Sequence, residues 1–403
     1  MRIRSITLFA RTTLPLDTTA IASMGQTAQG LAAAFTDAGY EVQTIRLATS
    51  LPSAAAHRMS RQAVVDTAVE LEETCRTAGF DFVSIGPVGI ELQPIIPDLL
   101  RSTRAVFVTS PIVRPDGTTI DGETIRGAAQ VIRDAAAIES GFGNLRYAAT
   151  ANVRAGTPFF PAAFWDAADP AFAVATESAD LAEDACRAPG NAATAYAALR
   201  TSITVHGQQL DAIGETACRA TGLRYLGVDF SLAPYPGRGI SIGSALESLT
   251  GGPVGLPGTL AAAATLTDAI QQARFKHTGF CGLMLPVLED SVLARRAAEG
   301  RLRIAELLQW SAVCGTGLDT VPLPGSASVH SLAALLFDVA ALSVRLQKPL
   351  TARLMPLPGK VAGDPVHFDF AYFADGGVLG LEDGKVTGPW LRTDEHSLHA
   401  IAR

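Results

Sequence analysis

Short apolar runs alternate with longer amphipathic ones from the first residues onward. Residues 2–9, 42–47, 82–85 and 105–109 are brief and rich in β-branched and aromatic side chains, which predicts strands. Between them, 20–38, 60–78 and 122–140 are long enough for helices. In the second of these, Val64, Val65, Ala68, Leu71 and Cys75 recur at spacings of three and four, so one helical face is apolar. A strand followed by a helix, repeated, predicts a mostly parallel sheet covered by helices.

Residues 144–153 and 171–176 read as further strands, separated by the apolar loop 158–164, which either packs on the core or lines a substrate site. An alanine-rich helix over 191–221 then leads to 227–247. There the run 223–228 breaks into a polar loop carrying Asp229 and Ser231, two prolines stop the strand, and Ser241 or Ser244 caps a helix bearing Glu247. The glycine-rich turn 251–259 precedes a helix over 260–273 but matches no nucleotide-binding motif. Residues 280–287 predict a strand ending at Glu289 and Asp290, followed by a helix over 291–300. The stretch 311–320 predicts a tight glycine turn around Cys314. A helix over 328–346, a strand over 351–356 holding Arg353, a turn at Lys360 and a last strand over 367–373 complete the pattern. With about ten strand-like runs, no linker and no short repeat, residues 1–403 predict one large domain.

Composition narrows the function classes. Hydrophobic residues make up 48% and charged residues 18%, which argues for a packed core. The formal charge of -7 and the pI near 5.5 argue against a nucleic-acid partner. No stretch offers the roughly 18 to 20 uninterrupted apolar residues of a membrane helix. The apolar run at the start is broken by Ser5, Thr7 and Arg11, so it reads as a strand and not as a leader. Five scattered cysteines without a Cys-x-x-Cys pair suggest reduced thiols in a cytoplasm.

Residues 158–164, Asp229-Phe-Ser-Leu-Ala-Pro, Ser241-Ile-Gly, 279–290, 313–325 and 348–360 occur in order along most of the chain. In these segments the chain resembles the DUF711 proteins, also called UPF0210. That family is structurally similar to the glycyl-radical enzymes of the pyruvate formate-lyase type. The resemblance implies a single α/β barrel-like domain of about ten strands surrounded by helices, with a finger loop carrying Cys314. It does not extend to radical chemistry, because the segment 373–380 supplies glycines without the Arg-Val-x-Gly-Tyr context of a radical-bearing loop.

The sharpest chemical expectation is a divalent Mg2+, Ca2+ or Mn2+ held by Asp229, Glu177, Glu247 and Asp290, with Glu289 and Asp319 nearby, since hard cations take oxygen ligands. The competing reading of each acid is a helix cap or a solvated side chain. Arg353 and Lys360 are read either as holding a carboxylate or phosphate of a small substrate or as forming structural ion pairs with the acids, with Ser231 and Phe160 contributing to the substrate site. Cys314, Asp229, Glu289 and Asp319 are the catalytic candidates. Cys314 is read as a nucleophile or an inert buried thiol, and His277 as a general acid or base or a surface histidine. Together these predict an enzyme acting on a small anionic organic molecule, by a lyase, isomerase or hydrolase reaction. The alternatives are a non-catalytic small-molecule or metal-binding protein, and an interaction protein whose apolar content serves a homo-oligomer interface, such as a homodimer.

Overall fold

The computed structural model describes residues 1–51, 58–188, 190–237, 239–382 and 388–401. The strands in chain order are β1 (Arg2–Phe9), β2 (Ile45–Ala48), β3 (Phe82–Pro87), β4 (Val106–Pro111), β5 (Thr119–Asp121), β6 (Tyr147–Ala151), β7 (Ala171–Glu177), β8 (Arg224–Asp229), β9 (Gly317–Pro324), β10 (Leu350–Leu357), β11 (Pro365–Val366), β12 (Gly376–Gly377) and β13 (Glu395–Ser397). Nine of them form one sheet in the order β8-β7-β1-β2-β3-β4-β6-β10-β9. From β1 to β6 through β2, β3 and β4 the strands are parallel. The parallel pair β7 and β8 joins antiparallel to β1, and the parallel pair β9 and β10 joins antiparallel to β6. Beyond the sheet, the segment after Lys276 makes isolated bridges to both outer strands or their continuations: Val228 with His277, Leu232 with Leu283, and Pro286 with Asp319.

The helices cover the sheet as the alternating pattern predicts. Helix Arg61–Thr77 starts at Ser60, whose hydroxyl accepts the Ala63 N–H, and buries the five residues whose spacing marked its apolar face. Helix Ala192–Thr221 opens with a capping box of Asn191 and Thr194 and ends at Gly222, where a left-handed conformation halts it. Helix Val329–Leu346 is long and apolar enough to cross a membrane by length and composition, although Asp338 and Arg345 interrupt its apolar run. Much of it is buried against β6, β10 and helix Gly122–Ala135, as a core helix would be.

Three elements differ from the sequence reading. Gly317–Pro324 is a strand where a turn was expected; its two prolines are tolerated because β9 lies at the sheet edge, where a missing N–H costs no ladder bond. Residues 280–287 form isolated bridges in place of a regular strand. Residues 367–373 are turns between the two-residue strands β11 and β12.

Four register shifts interrupt the sheet. On β1, Ile3 and Ser5 face the consecutive residues Thr176 and Ala175, so Arg4 is an extra residue. On β9, Asp319 and Thr320 together lie opposite Arg353, and Thr320 has a φ of 42°. Such shifts re-aim side chains, and both of these put charge on the same side of the sheet.

Candidate functional site

A cavity of about 170 Å3 is lined by the starts of β2, β3 and β4, the ends of β7 and β8, and the middle of β9 and β10. Because β7 and β8 run against β1, their carboxyl ends meet the amino ends of the parallel strands. The site therefore draws on both directions of the sheet.

Its polar floor is a chain of alternating charges. Arg2 Nη2 donates to Glu177 Oε1 at 2.5 Å, Arg4 Nη1 to Glu177 Oε2 at 3.0 Å, and Arg4 also to Glu289. Arg353 Nη2 donates to Glu289 Oε1 at 2.8 Å, and its Nε to Asp319 Oδ1 at 2.6 Å. Burial opposes the charge on Arg4 and Arg353, yet the flanking carboxylates outweigh it and raise both above the ordinary arginine value. Burial also pushes the Asp319 carboxyl up, with Glu289 adding repulsion and Arg353 opposing.

Arg46 differs. Its Nε donates to Thr44 Oγ1 at 2.9 Å, and its guanidinium lies 5.1 Å from the Phe160 ring centre and 5.6 Å from that of Phe82. No carboxylate among the described residues pairs with it. Burial, with repulsion from Arg4 next, pulls its pKa down to about 9.

Asp229 is the cavity carboxylate without a cation in salt-bridge contact among the described residues. Its Oδ1 accepts the Ser231 hydroxyl at 2.5 Å and the Cys281 N–H at 2.9 Å, while Oδ2 accepts the Phe280 N–H at 3.0 Å. The turn that supplies these amides needs Gly279, whose φ is 64° and where a Cβ would come within 2.1 Å of Asp229 Oδ2. Burial raises the Asp229 pKa.

The sequence-derived candidates divide accordingly. Asp229, Ser231, Glu289, Asp319, Arg353 and Phe160 all line the cavity, and Glu177 bonds to the lining residues Arg4 and Gln43. The remaining five sit elsewhere. Asp290 accepts the Ser241 hydroxyl and the N–H groups of Ile242, Gly243, Val292 and Leu293, joining the starts of helices Ile242–Thr250 and Ser291–Ala298. Glu247 is bound by Arg296 Nε at 2.6 Å and Nη2 at 2.9 Å. Lys360 is exposed in the turn after β10. Cys314 is fully buried, its sulfur accepting the Gly317 N–H, and the Lys348 ammonium donates to its carbonyl and not to its thiol. His277 stacks on Phe275 at 3.8 Å, and its Nε2 lies 3.0 Å from the Ala273 carbonyl. Among the described residues, no three His, Cys, Asp or Glu side chains are grouped as metal ligands.

Sequence reasoning missed Arg4, Arg46, Gln43 and Tyr372. A signal existed for Arg46: it interrupts the apolar run Ile45-Arg46-Leu47 inside a predicted strand, where a charge requires a reason.

Comparison with known proteins places this chain in a family. The family model described as "Uncharacterised ACR (DUF711)" matches residues 1–371. A UPF0210 protein of Syntrophobacter fumaroxidans is 31% identical over 370 residues, covering 85% of this chain and 78% of that protein. One from Pyrobaculum islandicum is 30% identical, covering 86% and 80%. One from Methanopyrus kandleri is 28% identical, covering 81% and 75%. The chain belongs to the DUF711 (UPF0210) family.

Proposed function

We propose that the chain is an enzyme acting on a small anionic organic molecule held in this cavity, with the anion on Arg46 and proton transfer at Asp229, in a lyase, isomerase or hydrolase reaction. One observation carries the reading: Arg46 faces the cavity with Nη groups that meet no carboxylate among the described residues. Withdrawing an unpaired charge from water is costly, so a retained guanidinium of this kind suits a ligand that brings the counter-charge. Arg353, the anchor expected from sequence, already spends its donors on Asp319 and Glu289.

Asp229 supplies the complementary group. A buried carboxylate with raised proton affinity accepts a proton from a bound substrate more readily near neutral pH than an exposed one. In that step the proton passes from the substrate to a carboxylate oxygen, while the Ser231 hydroxyl holds Oδ1 in place.

A divalent cation fits the donor set poorly, since Glu177, Glu289 and Asp319 each face guanidinium groups that a cation would have to displace. We further read the sheet as part of a barrel closed through 277–287, supported by the bridges from that segment to β9 and to β8 with its continuation. Five unpaired cysteines, four of them buried, support a cytoplasmic setting.

Thermal melting with a panel of small organic carboxylates and phosphates tests the binding half. An anion that raises the Tm of the wild type but not of Arg46→Gln is expected; a panel that shifts both proteins alike sinks it. For the catalytic half, product formation from the bound anion is followed by NMR. Asp229→Asn should keep binding and lose roughly 100-fold or more in rate. Binding without product in the wild type would leave a non-catalytic binding protein.

A further inference from the structure

The cavity also carries information about the body of the ligand, and the following rests on the anion reading above. Three features bear on it: charge balance, wall chemistry and size.

Arg2, Arg4 and Arg353 alternate with Glu177, Glu289 and Asp319, so the floor is neutral as a unit. Two other arginines line the cavity. Arg104 pairs with Glu139, and Arg146 directs its donors at the carbonyls of Leu100 and Val106 and the Thr103 hydroxyl. Arg46 is the lining arginine whose two Nη groups both lack a partner among the described residues, and one guanidinium edge of that kind matches a single anionic group.

The walls are aromatic. Around Arg46, the Phe107 ring lies 5.4 Å from Phe82 and 5.3 Å from Phe160, both edge-on. A second group lines the same cavity, with Phe370 at 5.0 Å from Phe142 and 5.3 Å from Tyr372. Rings arranged this way present faces and edges to a flat unsaturated guest, which gains interaction beyond the area it buries. The guanidinium already lies over Phe82 and Phe160, so its free edge is held in a fixed orientation.

The volume of about 170 Å3 sets the scale. An apolar protein cavity of about 150 Å3 holds one benzene molecule. A ring with one carboxylate fits on that measure, whereas a nucleotide does not.

We propose that the cavity takes a small monocarboxylate with a flat unsaturated body of about one six-membered ring, its carboxylate on Arg46 and its body among the phenyl rings.

Calorimetric titration of the full chain with benzoate as the probe tests this, against cyclohexanecarboxylate, acetate, inorganic phosphate, benzyl alcohol and 2-naphthoate. Benzoate should bind, with cyclohexanecarboxylate weaker by about 2- to 12-fold, the worth of aromatic contacts beyond area. Acetate, phosphate and 2-naphthoate should bind much more weakly than benzoate. Arg46→Gln should weaken benzoate by at least about tenfold, as expected for one charge-assisted contact. Arg46→Lys, which keeps the charge without the bidentate fork, should fall between, and Phe107→Leu should narrow the preference for benzoate over cyclohexanecarboxylate. Acetate or phosphate binding as tightly as benzoate would overturn the ring assignment and leave the anion reading standing. Benzyl alcohol binding as tightly as benzoate, or an unchanged benzoate affinity in a folded Arg46→Gln, would overturn the anion reading itself. No binding of any probe by the wild type would overturn both.

Discussion

Replacing Glu289 with Gln tests the charge chain at its centre. The carboxylate is 7% exposed and bridges Arg4 and Arg353, the latter at 2.8 Å. Gln keeps the shape but removes the negative charge and turns an amide toward a guanidinium. Breaking a buried pair by removing one partner typically costs about 3–5 kcal/mol. Each arginine here retains a second acid, Glu177 for Arg4 and Asp319 for Arg353, so the lower end applies, about 3 kcal/mol. For a chain of 403 residues, unfolding entropy near 2.1 cal/mol/K per residue totals roughly 0.85 kcal/mol/K, so the melting temperature should fall by about 3–4 °C if unfolding is two-state. Scanning calorimetry at neutral pH reads this directly. Raising salt to ~0.5 M should leave the difference in place, because buried pairs are weakly screened. The exposed pair Arg76 and Glu73 serves as the control, with Arg76→Ala expected to leave the melting temperature close to that of the wild type. A Glu289→Gln melting point within about 1 °C of the wild type, or a difference erased by salt, would refute the view that this carboxylate holds the floor together.

Two further outcomes follow from burial and hydrogen bonding. Burial pushes the Cys75 thiol up to about 12, Cys186 to about 11 and Cys281 well above its ordinary value, and Cys314 is fully enclosed, which leaves half-buried Cys218 as the accessible thiol. Brief iodoacetamide treatment of the folded protein should therefore modify Cys218 first by mass spectrometry; Cys314 reacting as fast would revive it as a nucleophile. The exposed His367, hydrogen-bonded through Nδ1 to Asp375 at 2.6 Å, titrates above an ordinary histidine because of that partner. Whatever stability the pair contributes is present below the unfolded histidine pKa and is lost as pH rises through the higher folded value. NMR titration should show the midpoint of His367 moving down toward about 6.5 in Asp375→Asn, and an unmoved midpoint would contradict the pairing.

Several parts of the molecule were legible in the chain because they depend on neighbours in sequence. The face of helix Arg61–Thr77, the cap at Ser241 and the proximity of Ser231 to Asp229 all follow from spacings of two to four residues. The segments at 158–164, 229–234 and 313–325 carried the family, and each brought at least one side chain to the cavity. The partners of the charges were not legible. Arg4 meets Glu289 across 285 positions, and Arg353 meets Glu289 across 64. Glu247 and Asp290 looked equivalent to Glu289 as acids near strand ends, yet one pairs with Arg296 on a neighbouring helix and the other caps two helices.

Local spacing thus decided the elements, and with them the α/β character of the chain. Tertiary structure decided which charges meet. The register shifts at Arg4 and at Asp319 and Thr320 accompany the placement of Arg4 and Asp319 in the site, and no residue pattern marks them in advance. The same holds for the lack, among the described residues, of a carboxylate paired with Arg46. A missing counter-ion is a property of the space around a side chain, and that space is filled by strands brought together from distant parts of the sequence.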